Sequence, residues 1–252
     1  MQFYVVDAFT GDAFAGNPAG VVLLTEPADP GWMQQVAAEM KHSETAFVLP
    51  SGGGVTGLRW FTPATEVDLC GHATVAATQV LGGAQVYDTR SGLLHCTKHD
   101  DGWIELDFPA DAPHRTEDDV SRILPGHTPA YVGRAKENLF VELSSAEEVE
   151  QAAPDLAALR DTWTGRMIIT APGREHDFVS RFFGPGVGVD EDPVTGSAHC
   201  CLAPYWGKKR TKTELVGAQV SRRGGVVAAV VDGDRVRLRG QAVTVVSGEL
   251  HV

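Results

Sequence analysis

The chain has 252 residues, of which 43% are hydrophobic and 21% are charged, a composition typical of globular proteins. Its net charge is −12 at pH 7, and lysine and arginine cluster only in two short runs, at 208–210 and 222–223. This balance argues against nucleic acid and anionic membrane surfaces as partners. The length is sufficient for one large domain or for two domains of about 125 residues each.

The N-terminus begins directly with a strand pattern and has no basic segment followed by a long apolar core. We therefore expect neither a signal peptide nor a membrane span. The four cysteines lack CxxC spacing and two of them are adjacent, which predicts neither a disulfide framework nor a zinc site. These features favour a cytoplasmic protein. The cysteines are Cys70, Cys96, Cys200 and Cys201.

In the first half of the chain, alternating apolar residues predict several strands. One helix should begin after Asp29 with Pro30 in its first turn, and another should run from Gly71 to about Leu81. The second helix is small and apolar on nearly every side, so it should be buried all round. The predicted strands are 3–7, 21–24, 45–49, 57–61, 93–98 and 103–108.

A proline-containing stretch at 109–113 is the best candidate for a boundary between two domains, which we therefore predict at 1–111 and 112–252. Beyond it the order of elements recurs, with a helical stretch over 147–160 and a second small-residue helix from Gly196 to about Tyr205. The predicted strands of this half are 130–132, 138–143, 167–170, 178–183, 236–238 and 242–246.

The two small-residue helices open in the same way. Glu66 lies five residues before Gly71, and Glu191 lies five residues before Gly196. Each opening offers backbone N–H groups and the positive end of a helix dipole, which favour an anion. We therefore predict a duplicated fold with a site for a small carboxylate-bearing molecule between its halves.

Four side chains near these openings are candidates for chemistry. Glu44, at the start of a strand, is either an exposed acid in a connection or a general acid/base whose pKa rises on partial desolvation. His72, in the first turn of its helix, is either a packing residue or a neutral imidazole that hydrogen-bonds a substrate. Asp192 is a turn acid held extended by the proline after it. Ser197 is either an ordinary helix residue or a carboxylate ligand.

Cys70 raises the separate possibility of two-base racemisation by a pair of thiols facing each other. Its counterpart one residue before Gly196 is Thr195, whose hydroxyl is far too weak a base. Thiol-pair racemisation is therefore disfavoured.

Other familiar sites have no support in the sequence. No GxGxxG motif follows the first strand, and the chain contains no GxxxxGK[ST] or GxSxG motif. We expect no cofactor and no metal. Four histidines also lack metal-ligand spacing with one another: His114, His127, His176 and His199.

Seven segments carry a joint pattern: DAFT at 7–10, GNPAGVV at 16–22, SETAF at 43–47, LCGHAT at 69–74, FVSRFF at 178–183, EDPVTGSAH at 191–199 and APYW at 203–206. Together they resemble the PhzF-like family, named for an isomerase of phenazine biosynthesis and related to diaminopimelate epimerase. The resemblance implies an α/β fold of two similar halves, each a curved sheet wrapped round a central helix. It also leads us to expect that the last strands cross back to the first half, and that the protein is a homodimer.

The same resemblance implies an activity and a set of site residues. The activity is cofactor-independent transfer of a proton between carbons of a small carboxylate, with Glu44 as acid/base and His72 and Asp192 as its catalytic partners. An amino-acid racemase or epimerase, and a non-catalytic scaffold that binds a small molecule or a protein, are the alternatives. The implied substrate-binding residues are Gly71, Gly196 and Ser197.

The chain departs from the family pattern in two places. Lys41 stands where a neutral polar residue such as asparagine is expected, and a cation there would lower the pKa of Glu44. The chain also looks short for the family, and we expect trimmed loops between Pro113 and Asp177. Because such loops shape a pocket, the substrate does not follow from the resemblance.

Overall fold

The computed structural model describes residues 1–50 and 53–252. The chain divides into two compact units, one formed by Met1–Asp107 with Arg239–Val252 and the other by Phe108–Leu238. Within the described ranges, no helix has the length and apolar character needed to cross a membrane.

The chain up to residue 109 alternates between strands and helices. In order, the elements are β1 Gln2–Ala8, β2 Asn17–Leu23, α1 Pro30–Met40, β3 Glu44–Pro50, β4 Thr56–Phe61, β5 Glu66–Val67, α2 Gly71–Leu81, β6 Ala84–Thr89, β7 Gly92–Lys98 and β8 Ile104–Pro109.

The remaining elements follow a similar order, with a 3₁₀ turn at Pro185–Val187. They are β9 His114–Arg115, β10 Tyr131–Ala135, β11 Asn138–Glu142, α3 Ala146–Gln151, α4 Leu156–Arg160, β12 Met167–Pro172, β13 Phe178–Gly184, β14 Val189–Asp192, α5 Gly196–Arg210, β15 Glu214–Gln219, β16 Gly225–Asp232, β17 Arg235–Gly240 and β18 Ala242–Glu249.

Strand pairing repeats from one unit to the other. The pairs β1–β2, β2–β3 and β3–β4 are antiparallel, parallel and antiparallel. The pairs β10–β11, β11–β12 and β12–β13 have the same three orientations in the same order. β4 also pairs parallel with β6, the strand after α2, as β13 does with β15, the strand after α5. This repetition shows a duplicated α/β architecture and confirms the predicted fold class.

Each unit places one helix against several of its strands. The helix α2 is buried at every position from residue 71 to residue 78 and contacts β1, β2, β3, β7 and β18. The helix α5 contacts β15 and β16. Small residues such as Ala73 and Ala76 let the surrounding strands approach α2 closely. The predicted all-round burial of α2 is confirmed over these eight residues.

The C-terminal strand joins the first unit. β18 runs antiparallel to β1, and Gln2 faces Glu249 at one end of the pair while Ala8 faces Ala242 at the other. Residues 239–252 therefore pack with the N-terminal part of the chain, and the division between the units falls after Asp107.

Two predicted helices have different bounds in the structure. The helical stretch predicted over 147–160 is divided into two helices, because Ala152 is extended and Pro154 separates α3 from α4. The helix α5 continues to Arg210, past its internal Pro204. Proline cannot donate to the carbonyl of Cys200 four residues earlier, and the backbone N–H of Asp111 donates to that oxygen at 3.0 Å instead.

Candidate active site

Glu44 is held where α1 ends and β3 begins. α1 closes at Lys41, which adopts a left-handed backbone conformation with φ 56° and donates its N–H to Ala37. Three residues later the chain enters β3, where Glu44 lies opposite Ala19 in parallel register. The side chain of Glu44 is 17% exposed, so it is largely desolvated but still accessible.

The opening of α2 supplies the next two side chains. Cys70 is the extended N-cap residue, Gly71 is the first helical residue, and His72 follows within the first turn. The Cys70 carbonyl accepts hydrogen bonds from both the backbone N–H and the hydroxyl of Thr74, which fixes the start of the helix. The side chain of His72 is therefore held on a rigid element and is only 5% exposed.

The imidazole of His72 lies between a carboxylate and a thiol. Its Nε2 is 3.3 Å from Oε2 of Glu44, and its Nδ1 is 3.5 Å from Sγ of Cys70. The Nε2 contact is close but does not have the geometry of a well-directed hydrogen bond. The structure thus places Glu44 and His72, two of the candidate residues from the sequence, in contact with each other.

These three groups are also the kind that could ligate a metal. Their donor atoms lie within 4.8 Å of one another. Glu44 and Cys70, however, contact opposite nitrogens of the same ring. An imidazole normally presents one nitrogen to a metal, so in the observed arrangement the ring connects the carboxylate and the thiol through its two nitrogens.

His72 is neutral at physiological pH. Burial lowers its pKa to about 3, with a smaller contribution from the positive charge of nearby His42. Desolvation is therefore the main cause of the neutral state. A neutral imidazole places one N–H and one lone pair in the site and adds no charge beside Glu44.

The opening of α5 lies in the second unit and is held by a different set of hydrogen bonds. Thr195 is the extended N-cap residue and Gly196 is the first helical residue. The amide of Gln219 links this opening to β15: its oxygen accepts from the Thr195 N–H at 2.9 Å, and its Nε2 donates to the Asp192 carbonyl at 2.7 Å. Sequence reasoning missed Gln219, because no local pattern connects it with the start of α5.

Asp192 and Ser197 occupy different surroundings at this opening. Asp192 is buried, and its Oδ2 accepts the hydroxyl of Thr195 at 2.5 Å. Ser197 is exposed, so its hydroxyl is accessible at the start of the helix. The first N–H groups of a helix have no partner within it, and those of Gly196 and Ser197 are therefore suited to an anion.

Both openings are braced by the same motif, which sequence reasoning also missed. Arg59 forms a bidentate pair with Glu66 at 2.7 and 2.8 Å, and Arg181 forms one with Glu191 at 2.6 and 2.9 Å. Each guanidinium also lies over the phenylalanine two residues further on, at 5.3 and 4.8 Å from the ring centre. The available signal was a repeated pattern, Arg-x-Phe-x-Pro at 59–63 and 181–185.

Comparison with known proteins identifies the family. A family model described as phenazine biosynthesis-like protein, PhzC-PhzF, matches residues 6–248. The chain belongs to the PhzC-PhzF family. A protein named as an uncharacterized isomerase of Halalkalibacterium halodurans is 46% identical, over 98% of this chain and 97% of its own length.

Solved structures agree with this membership of the PhzC-PhzF family. A PhzF-family protein of Enterococcus faecalis matches with a TM-score of 0.94 and 38% identity, covering 100% of this chain and 99% of its own. A probable proline racemase from Agrobacterium radiobacter matches with a TM-score of 0.65 and 10% identity, covering 100% and 93%. The second likeness shows that the fold is shared with racemases. The predicted family is confirmed, and family membership supports isomerases as the general class of enzyme.

Proposed function

We propose that this chain is a cofactor-independent isomerase that moves a proton between carbons of a small carboxylate-bearing substrate, with Glu44 as the general acid/base. The observation that carries the proposal is the contact between Glu44 Oε2 and Nε2 of a buried, neutral His72. The named isomerase among the relatives supports the same class of reaction.

The neutrality of His72 matters because of what Glu44 must do. A general base has to take a proton and then return it, which requires a pKa near the working pH. A protonated imidazole 3.3 Å away would stabilise the carboxylate and weaken it as a base. A neutral imidazole places a polar group beside Glu44 without that full charge.

The proposed step is balanced without an oxidant or a reductant. The Glu44 carboxylate removes a proton from a substrate C–H, and the electron pair of that bond moves into the adjoining unsaturated system. The protonated Glu44 then returns the proton to a different carbon. Positioned acid/base groups contribute about 10²–10⁴-fold, so substrate positioning supplies much of the remaining acceleration.

Substrate binding is proposed for the two helix openings. The N–H groups of Gly71 and Gly196, with the exposed Ser197, are suited to a carboxylate. Asp192 is proposed as a further catalytic partner, held by Thr195. A homodimer is proposed on the family resemblance alone, and a cytoplasmic location on the cysteine pattern.

An amino-acid racemase is the runner-up, since the fold is shared with a probable proline racemase. Two-base thiol chemistry would need a second thiol at the position of Thr195. The hydroxyl found there instead donates to Asp192. This arrangement favours the single-carboxylate isomerase.

Deuterium incorporation tests the proposal. Purified protein would be incubated in heavy water with dihydro-hydroxyanthranilates, amino acids and other small carboxylates, and each compound analysed by mass spectrometry and chromatography for label and for isomerised product. We expect at least one compound to change with wild type and to remain unchanged with Glu44→Gln. Turnover that persists undiminished in Glu44→Gln would refute the role of Glu44. Ligand binding with no turnover by the wild type across the panel would favour the scaffold.

A further inference from the structure

The two ring nitrogens of His72 face different partners. The position of the single ring proton therefore decides whether an N–H group or a lone pair faces Glu44. Nδ1 lies 3.5 Å from the sulfur of Cys70, and Nε2 lies 3.3 Å from a Glu44 carboxylate oxygen. His42 also acts on this ring electrostatically. Because the ring is neutral, only one of its nitrogens carries a hydrogen at any moment.

Only one of the two tautomers suits an ionised Glu44. With the proton on Nε2, the ring donates toward the carboxylate, and Nδ1 accepts the S–H of Cys70. With the proton on Nδ1, a lone pair on Nε2 faces the carboxylate, and the two repel unless Glu44 is itself protonated. Burying a nitrogen without a complementary partner is also costly, and the first arrangement gives Nδ1 a donor while placing Nε2–H beside an acceptor.

The backbone supports a donor role for the Cys70 side chain. Cys70 is the N-cap residue of α2, yet its side chain makes no capping hydrogen bond. A serine, threonine or aspartate at an N-cap normally accepts from the first turn of its helix. At the counterpart position, Thr195 also makes no capping hydrogen bond, and its hydroxyl donates to Asp192. In both openings the N-cap side chain therefore contacts a candidate site residue and does not cap its own helix.

We propose that Cys70 is a positioning residue: its thiol donates to Nδ1 of His72 and thereby fixes the tautomer whose Nε2–H faces Glu44. The catalytic consequence rests on the proposed function, because a fixed Nε2–H keeps Glu44 available as an ionised base in the resting enzyme. The tautomer itself is a property of the free protein and can be measured without any substrate.

Nitrogen NMR of histidine-labelled protein reads the tautomer directly, since protonated and unprotonated ring nitrogens differ widely in chemical shift. The chain has nine histidines, and the His72 signals would be assigned by their loss in His72→Gln. We expect wild-type His72 to be the Nε2–H tautomer throughout the neutral pH range. Cys70→Ala should populate the Nδ1–H tautomer to a measurable extent, because only the repulsion from Glu44 then opposes it, and Cys70→Ser, which keeps a donor, should restore the wild-type pattern.

Cys200→Ala is the matched control, because Cys200 is also a buried cysteine of a central helix but its sulfur contacts the Gly196 carbonyl. It should leave the His72 signals unchanged. Wild-type His72 with its proton on Nδ1 would overturn the proposal even if a Cys70 variant failed to fold. An unaltered tautomer in folded Cys70→Ala, or a serine variant that behaves like alanine, would also overturn it. If Cys70→Ala shows the expected tautomer shift but the wild type gives no labelling in heavy water, the positioning role of Cys70 stands and the proposed isomerase activity fails.

Discussion

The openings of α2 and α5 have the same frame but different chemistry. Each has an extended N-cap residue, a glycine as first helical residue, and a bidentate arginine–glutamate pair whose guanidinium lies over a phenylalanine. The frame fixes where the backbone N–H groups point. The side chains placed on it at equivalent positions are what differ.

Strand register gives the counterpart of Glu44 in the second unit. Phe61 of the first Arg-x-Phe-x-Pro pattern faces Thr45, and Phe183 of the second faces Met167. The residue before Met167, Arg166, therefore stands where Glu44 stands, and it pairs with Glu137.

The remaining equivalences follow from chain position: Cys70 corresponds to Thr195, His72 to Ser197, and Val67 to Asp192. One opening thus carries a carboxylate beside a neutral imidazole, and the other carries hydroxyls beside a buried aspartate. The comparison teaches that duplication supplied the scaffold, whereas the proposed base exists in one copy only.

Removing the bracing arginine should have the largest effect on stability, and the two copies should differ. Arg181 is 13% exposed and also donates to the carbonyls of Val149, Glu150 and Ala152. Arg59 is 34% exposed, and its partner Glu66 keeps a second contact, to Arg90, at 3.0 Å. We expect Arg181→Ala to lower the free energy of unfolding by about 3 kcal/mol and Arg59→Ala by about 1 kcal/mol. Urea denaturation of both variants measures this, and equal losses would contradict the difference in burial.

The buried histidines of the two central helices should make the protein less stable in acid. Burial lowers the pKa of His72 to about 3 and that of His199 to about 4, from 6.5 in the unfolded chain. Below pH 6.5 the unfolded chain binds more protons than the folded one, so stability falls as pH is lowered through this value. The loss is about 1.4 kcal/mol per pH unit for each histidine, or about 2 kcal/mol between pH 6.5 and 5.

Urea denaturation at pH 7.5 and pH 5 checks this dependence. His199→Asn, which keeps a donor for the Thr195 carbonyl, should lose about 2 kcal/mol less than wild type on acidification. His72→Gln should behave similarly, and the exposed His251→Gln should retain the wild-type difference. A His199→Asn variant with the full wild-type acid sensitivity would show that this histidine is not held neutral.

The smallest expected effect concerns the other end of the two helices. The C-cap residue of α2 is Gly82, with φ 73°, whereas that of α5 is Thr211, in the left-handed region with φ 56°. A β-branched residue is strained there, and glycine is not. Thr211→Gly should therefore raise the free energy of unfolding by about 0.5–1 kcal/mol. The nearby Thr213 does not have a positive φ, so Thr213→Gly should not stabilise the protein. Equal thermal midpoints for the two variants would argue against strain at Thr211.

Local signals in the sequence predicted much of the fold. Pro30 after the capping Asp29 marked the start of α1, and the small apolar run from Gly71 marked both ends of α2. Local signals could not predict long-range contacts. The continuation of α5 through Pro204 depends on Asp111, which lies far away in the chain. No local pattern could show that its N–H would satisfy the Cys200 carbonyl.

The candidate site shows the same limit. Glu44 and His72 were each singled out from the sequence, but their contact depends on the register of β3 against β2 and on the packing of α2. The contact of Cys70 with His72 is local, but the sequence did not predict it, because the direction of an N-cap side chain is not set by sequence position. Gln219 was missed because it reaches Thr195 from a strand 24 residues further on.

The most direct test of the central claim compares Glu44 with its duplicated counterpart. Wild type, Glu44→Gln and Arg166→Gln would be incubated in heavy water with the compound found to react, and the initial rates of labelling and isomerisation measured. We predict a loss of about 10²–10⁴-fold for Glu44→Gln, because a positioned acid/base is removed, and a near wild-type rate for Arg166→Gln. Similar rates for wild type and folded Glu44→Gln, or an equal loss in both variants, would contradict the assignment of the base to the first unit.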